Sequence, residues 1–441
     1  MRVAALWARI RPYPSAVAGA AIILALVLVA VVTVIAIPYN QAVTQWRGGD
    51  ADWRMNPVNA SPVWTNRLTG GNAPRTMRVT VDPDTIQRAP FEGGLQMRLP
   101  LSFDFPYDDF PSELTLMLTL SGTERAAFVD PVWQRPDGSE IRLGAQRITG
   151  ADRIALSQDR ALEGRLGDVP HVALFAQAQD RTRVVQGRYT LLIDAVLFDE
   201  GAELSAELLA FGRVHGLAGT DHLRRDLMLA LLWGTPIALA FGILAAVGTT
   251  VTTLVIAAVG VWFGGLIDAV IQRLTEVTMI LPILPILVMI GTLYSTSIWL
   301  MLGVVIALGI FSASIKMYRA MLLPLRRAPY IEAARAYGAS NMRIVIRYMI
   351  PRILPVLIPS FVTLIPTYVF LEASLAVLGL GDPVLPTWGK VLNDAQTQGA
   401  LFNGFYYWVI APAVLLMLTG LGFALFGFAL DRIFNPRLRS T

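Results

Sequence analysis

Apolar residues are distributed unevenly along the chain, and the unevenness divides it. Ala16 to Ile37 is apolar apart from small or weakly polar residues. At about 1.5 Å per residue it reaches roughly 33 Å, enough for a hydrocarbon core of about 30 Å. Its length argues for a retained helix over a cleaved signal, whose apolar core runs only about 7–15 residues. Residues 38–225 then mix charges of both signs and hold no span-length apolar run. Leu114, Leu116, Leu118 and Leu120 alternate with polar neighbours, the period of a half-buried strand. Met77 to Val81, Gln96 to Phe105, His171 to Gln177 and Gly187 to Phe198 are further strand candidates, and Ala151 to Gly164 is read as one short helix. Pro136-Asp137-Gly138-Ser139 has hairpin-turn chemistry. A β-sandwich is expected there. Beyond Asp226 apolar segments crowd together, with spans expected near 236–260, 277–294, 297–315, 353–377 and 405–430.

One polar, basic stretch interrupts the apolar half, Pro329 to Pro355, PYIEAARAYGASNMRIVIRYMIPRILP. Arg326, Arg327, Arg335, Arg343, Arg347 and Arg352 lie in it or at its edge. Ile331, Ala334, Tyr337 and then Met342, Val345, Met349 recur at helical spacing, with Gly338 between the two runs. Two short helices meeting at a glycine are expected.

Composition narrows the class. Of 441 residues 54% are hydrophobic, which fits several membrane spans plus one soluble domain. Net charge is only +4, and no long basic run points to nucleic acid. There is no cysteine, so thiol catalysis, disulfides and cysteine-ligated metals are excluded. Gly389-Lys390 lacks the earlier glycine of a P-loop, and no His-Glu-x-x-His or Gly-x-Ser-x-Gly occurs. No catalytic residue and no metal site is expected. His215 and His222 are read as interfacial hydrogen-bonding groups. Glu372 is costly inside a span and is read either as a helix-to-helix hydrogen bond or as a substrate contact.

Four motifs carry a family resemblance. Glu332, Ala333, Ala334, then Gly338 after three more residues, and Pro351 resemble the coupling loop of ABC importer permeases. Gly219, Thr220, Asp221, Arg225 and Asp226 resemble the segment before the second span in the dipeptide and oligopeptide (and nickel) branch, where Arg224 replaces a glycine. Gly264, Gly265, Asp268, Arg273, Glu276 and Pro282 are similar to the family's pattern between the second and third spans. Glu372, Gly379, Gly381, Trp388 and Gly389 resemble its fifth-span exit. The resemblance covers residues 1–37 weakly and about 214–441 strongly, and it leaves the bulk of 38–213 unexplained.

It implies an all-α polytopic membrane protein of about six transmembrane helices with an inserted β-rich extracytoplasmic domain. The expected domains are 1–37, the insert 38–225, and a five-helix core 226–441 with a cytoplasmic coupling loop 316–352. The implied function is the permease subunit of an ATP-driven importer of peptides or similar small solutes, in the plasma (inner) membrane of a prokaryote. Implied partners are a second homologous permease, two ATPases that carry the ATP and Mg, an extracytoplasmic substrate-binding protein and membrane lipid. Glu332, Ala333, Ala334, Gly338, Ala339 and Arg343 would couple to the ATPases, and Glu372, Gly379 and Gly381 would flank the path. Arginines near span ends place the N-terminal segment (Arg2, Arg9, Arg11), the 316–352 loop and the tail (Arg432, Arg437, Arg439) on the cytoplasmic side. The other reading is a membrane-anchored receptor or assembly factor whose outer β-domain binds a ligand or partner.

Overall fold

The computed structural model describes residues 11–48, 53–91, 93–199 and 201–434. Arg2, Arg9, Arg437 and Arg439 of the topology argument lie outside these residues. Two compact units emerge, one from Gly48 to Met228, the other built from the chain up to Arg47 and from Leu229 onward.

The Gly48–Met228 unit is two antiparallel sheets. One has the order β1 (Met77–Thr80), β10 (Glu203–Phe211), β4 (Glu113–Ser121), β8 (Ala151–Ile154). The other runs β2 (Gln87–Phe91), β3 (Gly94–Phe105), β9 (Gly187–Leu197), β5 (Ala127–Gln134), β6 (Glu140–Arg142), with β7 (Gln146–Ile148) also on β5. Inward residues of both sheets, among them Leu99, Leu116, Leu191 and Leu208, form one core, so the unit is a sandwich. Phe103, Phe105, Trp133, Phe175 and Tyr189 pack ring to ring at one part of it. The alternation that marked β1, β3, β4 and β9 in the sequence is their burial pattern. Arg135 N–H donates to the Ser139 carbonyl at 3.0 Å, closing the expected hairpin turn between β5 and β6.

Two local expectations fail here. His171 to Gln177 is not a strand; Pro170 has no N–H for a ladder and opens a short helix, Pro170–Ala173. Ala151 to Gly164 is not one helix. Its first four residues pair with β4. The helix Arg160–Leu166 starts only where the Asp159 carboxylate accepts from the Ala161 and Leu162 amides at 2.9 and 3.1 Å.

The other unit is helical. It begins with α1 (Pro14–Ala36) and α2 (Tyr39–Arg47). After the sandwich come α3 (Leu227–Phe263), α4 (Gly265–Ile280), α5 (Ile283–Leu293), α6 (Ile298–Gly309), α7 (Ser314–Arg326) and α8 (Pro329–Ala336). The chain ends with α9 (Asn341–Ile344), α10 (Ile350–Leu375), α11 (Trp388–Thr397) and α12 (Tyr406–Phe434). Helix α2 belongs to this unit: Trp46 is buried, and Tyr39 meets Trp233 edge-on at 5.9 Å. Leu26 and Ala30 of α1 share a core with Leu239, Val362 and Phe423.

Among the described residues four helices are long and apolar enough to cross a membrane, or up to six if each of two bent pairs counts as one span. The bent pairs revise the expected third and fourth spans. Helices α4 and α5 meet at 77°, α6 and α7 at 47°. The 277–294 segment is broken at Leu281 and Pro282, because proline donates no amide to a continuing helix. Helix α3 starts at Leu227, nine residues before the expected 236, so the apolar run there is longer than one bilayer crossing requires.

Candidate functional site

The Pro329–Pro355 stretch folds as two helices joined at a glycine. Pro329 occupies the first turn of α8, where its missing N–H is no loss. At the other end the Ala339 amide donates to the Ala334 carbonyl at 3.0 Å and the Gly338 amide to the Arg335 carbonyl at 2.9 Å. With Gly338 at φ 78°, this is a Schellman ending. Helix α8 is eight residues long and two-sided. Ile331 and Ala334 are buried beside Trp262, Tyr318, Leu322 and Ile344. Glu332, Ala333, Arg335, Ala336 and Tyr337 face outward, and Tyr337 is 92% exposed. The slim outer surface expected of both Ala333 and Ala334 therefore comes from Ala333; Ala334 is part of the seat.

Two arginines fasten this seat. The Arg335 guanidinium lies 4.4 Å from the Trp262 ring centroid, and Arg352 lies 5.3 Å from that of Tyr330. Arg343 is exposed and Ala339 half-buried. From Lys316 to Arg352 Glu332 is the only carboxylate, so the loop surface is strongly basic. A five-residue π-helical turn, Val345–Met349, joins α9 to α10 just ahead of Pro351. The wider turn makes room for a ring that would press on the carbonyl four residues back.

Gly264 and Gly265, at φ 65° and 54°, turn α3 into α4. Asp268 on α4 then accepts from Arg319 on α7, at 3.0 Å from Nε and 2.6 Å from Nη2. Arg273 and Glu276 pair with each other at 2.9 Å, and Lys316 stands 3.9 Å from Glu276. These residues tie the bent pairs together by charge.

The Gly219–Asp226 motif is a closed hydrogen-bonded turn. Thr220 Oγ1 donates to the Pro57 carbonyl at 2.7 Å and accepts from the Ala60 amide at 2.9 Å. Asp221 is fully buried, accepts from the Leu223 and Arg225 amides, and takes Arg225 Nε at 2.5 Å. Asp226 Oδ1 accepts from the Met228 amide at 2.8 Å, capping the first turn of α3. Burial raises the Asp226 carboxyl above its ordinary value, with the Met228 amide and His215 acting the other way. Burial also lowers the His215 imidazole, whose Nε2 is 4.0 Å from Asp226.

Arg224, which takes the place of a glycine, keeps the left-handed turn at φ 64°. Its side chain offsets the strain. The guanidinium reaches Glu113 at 2.5 Å and the Asn56 carbonyl at 2.7 Å, and lies 4.6 Å from the Phe211 ring centroid. These contacts were not legible in the sequence, since Glu113 and Asn56 lie far away along the chain.

In the exit motif, Trp388 Nε1 donates to the Leu231 carbonyl at 2.9 Å, and a Cβ on Gly389 would lie 2.5 Å from Ala376 Cβ. Gly379, at φ 85°, ends a second π-helical turn, Ala376–Leu380. Glu372 is buried and hydrogen-bonded to Thr387. It shares a cavity of about 10 Å³ with Gly381 and Asp382; Gly379 is not at that cavity. The helix-to-helix reading of Glu372 is the one this geometry favours.

A sandwich inserted in the sequence between α2 and α3 of a set of long and broken apolar helices, with a basic two-helix loop among them, is the build of an integral membrane protein. Residues 252–440 match the family described as the binding-protein-dependent transport system inner membrane component. Over 226 residues the chain is 32% identical to the glutathione transport system permease protein GsiD of Pectobacterium atrosepticum, covering 50% of this chain and 73% of that one. Against the protein of the same name from Escherichia coli O157:H7 it is 32% identical over 234 residues, covering 50% and 72%. The chain belongs to this family: it is an ABC importer permease of the dipeptide/oligopeptide type, a transport subunit rather than an enzyme. Permeases of this family reside in the inner membrane and work with ATPase and substrate-binding proteins.

Proposed function

We infer that this chain forms half of a translocation pathway for peptides or similar small solutes and is driven by ATPases seated on the 329–350 loop. The observation that carries the reading is the two-sidedness of α8. Its inner face is locked into the helical core, while its outer face carries Glu332, Ala333, Arg335 and Ala336, is low at the two alanines and ends in an exposed turn at Gly338. A lever must be rigid on one side and free on the other, and this helix is both. Glu332, Ala333, Gly338, Ala339 and Arg343 present the contact surface; Ala334 supports it from beneath. ATP and Mg belong to the two partner ATPases, and this chain binds neither. The glutathione permeases it resembles support a small peptide as cargo.

Counting each bent pair as one span gives six, with both termini and the basic loop cytoplasmic and the sandwich outside. The exposed large apolar side chains of α3 run from Ile243 to Phe263. That is about 30 Å of helix, the thickness of a hydrocarbon core. A second permease completes the pathway, and Gly379 and Gly381 border it at the exit of α10, which Glu372 holds through its hydrogen bond to Thr387. The sandwich serves docking of the binding protein or the partner permease, rather than capture of substrate alone.

Gly338→Asp is the decisive variant. A Cβ at Gly338 meets nothing within 4 Å, so the chain should fold with only the strain of a left-handed residue. Membrane level should stay near normal while uptake and ATPase copurification fall at least tenfold, to the order expected for a buried unpaired charge. Ala334→Asp should instead lower the membrane level, because it puts a carboxylate into the seat. Normal uptake and ATPase recovery with Gly338→Asp would remove the coupling role. The native lack of cysteine gives a direct topology test. Asp84→Cys should react with an impermeant maleimide from outside, and Tyr337→Cys only after the membrane is opened; the reverse pattern would invert the proposed orientation.

A further inference from the structure

In the four-stranded sheet β10 is nine residues long, but its outer neighbour β1 covers less than half of it. The register pairs Met77 with Ala210 and Thr80 with Glu207. There β1 stops, and the chain turns away through the 3-10 turn Pro83–Thr85. On its other side β10 is paired with β4 all the way from Glu203. Among the described residues, Glu203 to Ala206 therefore have no strand on the β1 side. In an antiparallel sheet every second residue aims its N–H and C=O the same way, so this stretch holds open ladder positions.

A cavity of about 350 Å³ lies at this edge. Its apolar wall includes Ile86, Leu99 and Met117, with Thr80, Thr119 and Ser205 supplying hydroxyls. Natural sheets usually cover or charge such an edge. On the β1 and β10 side the unpaired charge here is acidic, whereas the exposed Arg153 stands across from Met117 on the β4 side. Arg78 and Glu207 pair with each other at the rim. That leaves Asp82, Asp84 and Glu203 exposed beside lining residues.

We propose that the open edge of β10 is a strand-addition site for an extended segment of a partner protein that carries an apolar residue between basic ones. Backbone pairing with Glu203–Ala206 supplies affinity. The apolar side chain enters the cavity, and Lys or Arg flanks face Asp82, Asp84 and Glu203. The site lies wholly inside the sandwich unit, so it does not depend on the coupling role of the loop.

The test uses the full-length protein purified in detergent and the fluorescent peptide acetyl-Lys-Thr-Val-Leu-Thr-Val-Lys-amide. Saturable binding is expected, with a dissociation constant on the order of 100 μM or tighter. Replacing both lysines of the peptide by glutamate, or making the double change Asp82→Lys with Asp84→Lys, should weaken binding roughly tenfold, the equivalent of about 1.4 kcal/mol. Thr119→Trp, at an exposed position lining the cavity, should abolish it. Bound peptide should slow deuterium exchange at amides within residues 203–207, and N-methylation of alternate peptide amides should remove both binding and protection. The proposal fails if no saturable binding appears up to about 1 mM, if the N-methylated peptide binds equally well, or if protection arises elsewhere. It also fails if the purified chain is a dimer that Thr119→Trp makes monomeric, because the edge would then pair with a second copy.

Discussion

The helical unit exposes large apolar side chains of the kind that the sandwich keeps inside. In the sandwich the largest residues are innermost: Leu99, Leu101, Trp133, Tyr189 and Phe211 have no measurable exposure. In the helical unit many of the largest apolar residues point out, Leu266 at 81% and Ile280 at 82% among them. Beside large buried residues such as Tyr318, Trp388 and Trp408, small and hydroxylic ones sit inside, including Ala245, Ala246, Ala258, Thr249 and Thr275. Those hydroxyls are satisfied within their own helices: Thr249 donates to the Ala245 carbonyl at 2.7 Å and Thr275 to that of Ile271 at 2.8 Å. The contrast follows from solvent. Water expels apolar area from the surface of the sandwich. Lipid does not, so helices approach each other through small residues and packing.

The largest expected effect is on the sandwich side. Leu99→Ala should cost about 2–5 kcal/mol, read as a lower denaturant midpoint of tryptophan fluorescence. Leu28→Ala, on an outward face of α1, should stay within about 0.5 kcal/mol of wild type. Equal losses at the two leucines would break the contrast. Asp221→Ala belongs to the same range, about 3–5 kcal/mol, since it takes a carboxylate away from the buried Arg225 guanidinium. It should appear as a strong fall in the amount of chain recovered from membranes.

In the helical unit, enlarging a small residue should do the damage. A Cβ on Gly19 of α1 would lie 2.7 Å from the Gly422 carbonyl oxygen of α12. Gly19→Leu should therefore cost about 1–3 kcal/mol and shorten the thermal half-life of the detergent-solubilised chain. A neutral outcome would mean that α1 does not depend on close backbone approach. The smallest effect sharpens the sandwich side. Burial, and then Arg213, depress the His171 imidazole below its ordinary value. The unfolded chain binds that proton more readily, so stability is full above the unfolded value of about 6.5 and declines as pH falls below it. His171→Gln should flatten this acid-side decline, by well under about 1 kcal/mol once solvent screening is allowed for. An unchanged pH profile would assign the decline to other groups.

Which parts of the molecule were legible depended on how local their cause is. The strands β1, β3, β4 and β9 were written in alternation, and the α8 ending at Gly338 in one glycine between two helical runs. Strand β10, with its cavity at the edge, was missed, as were the short strands of the second sheet. The placement of β10 depends on partners more than 50 residues distant, Leu208 on Leu116 for example; β2, β6 and β7 pair with nearby strands but are too short for a period to show. The 170–177 segment misled because Pro170 outweighs the β-rich composition around it.

By itself the sequence determined the apolar helices, the β-rich insert and the motifs of the family, because length, period and special residues act within a few residues of chain. Only the tertiary structure decided that Ala334 is a seat and Ala333 a surface, that the segments expected as third and fourth spans fold as bent helix pairs, and that Arg224 keeps a glycine's turn by reaching Glu113 and Phe211. Each of these turns on which distant side chain fills the space beside a residue, and no local pattern encodes that.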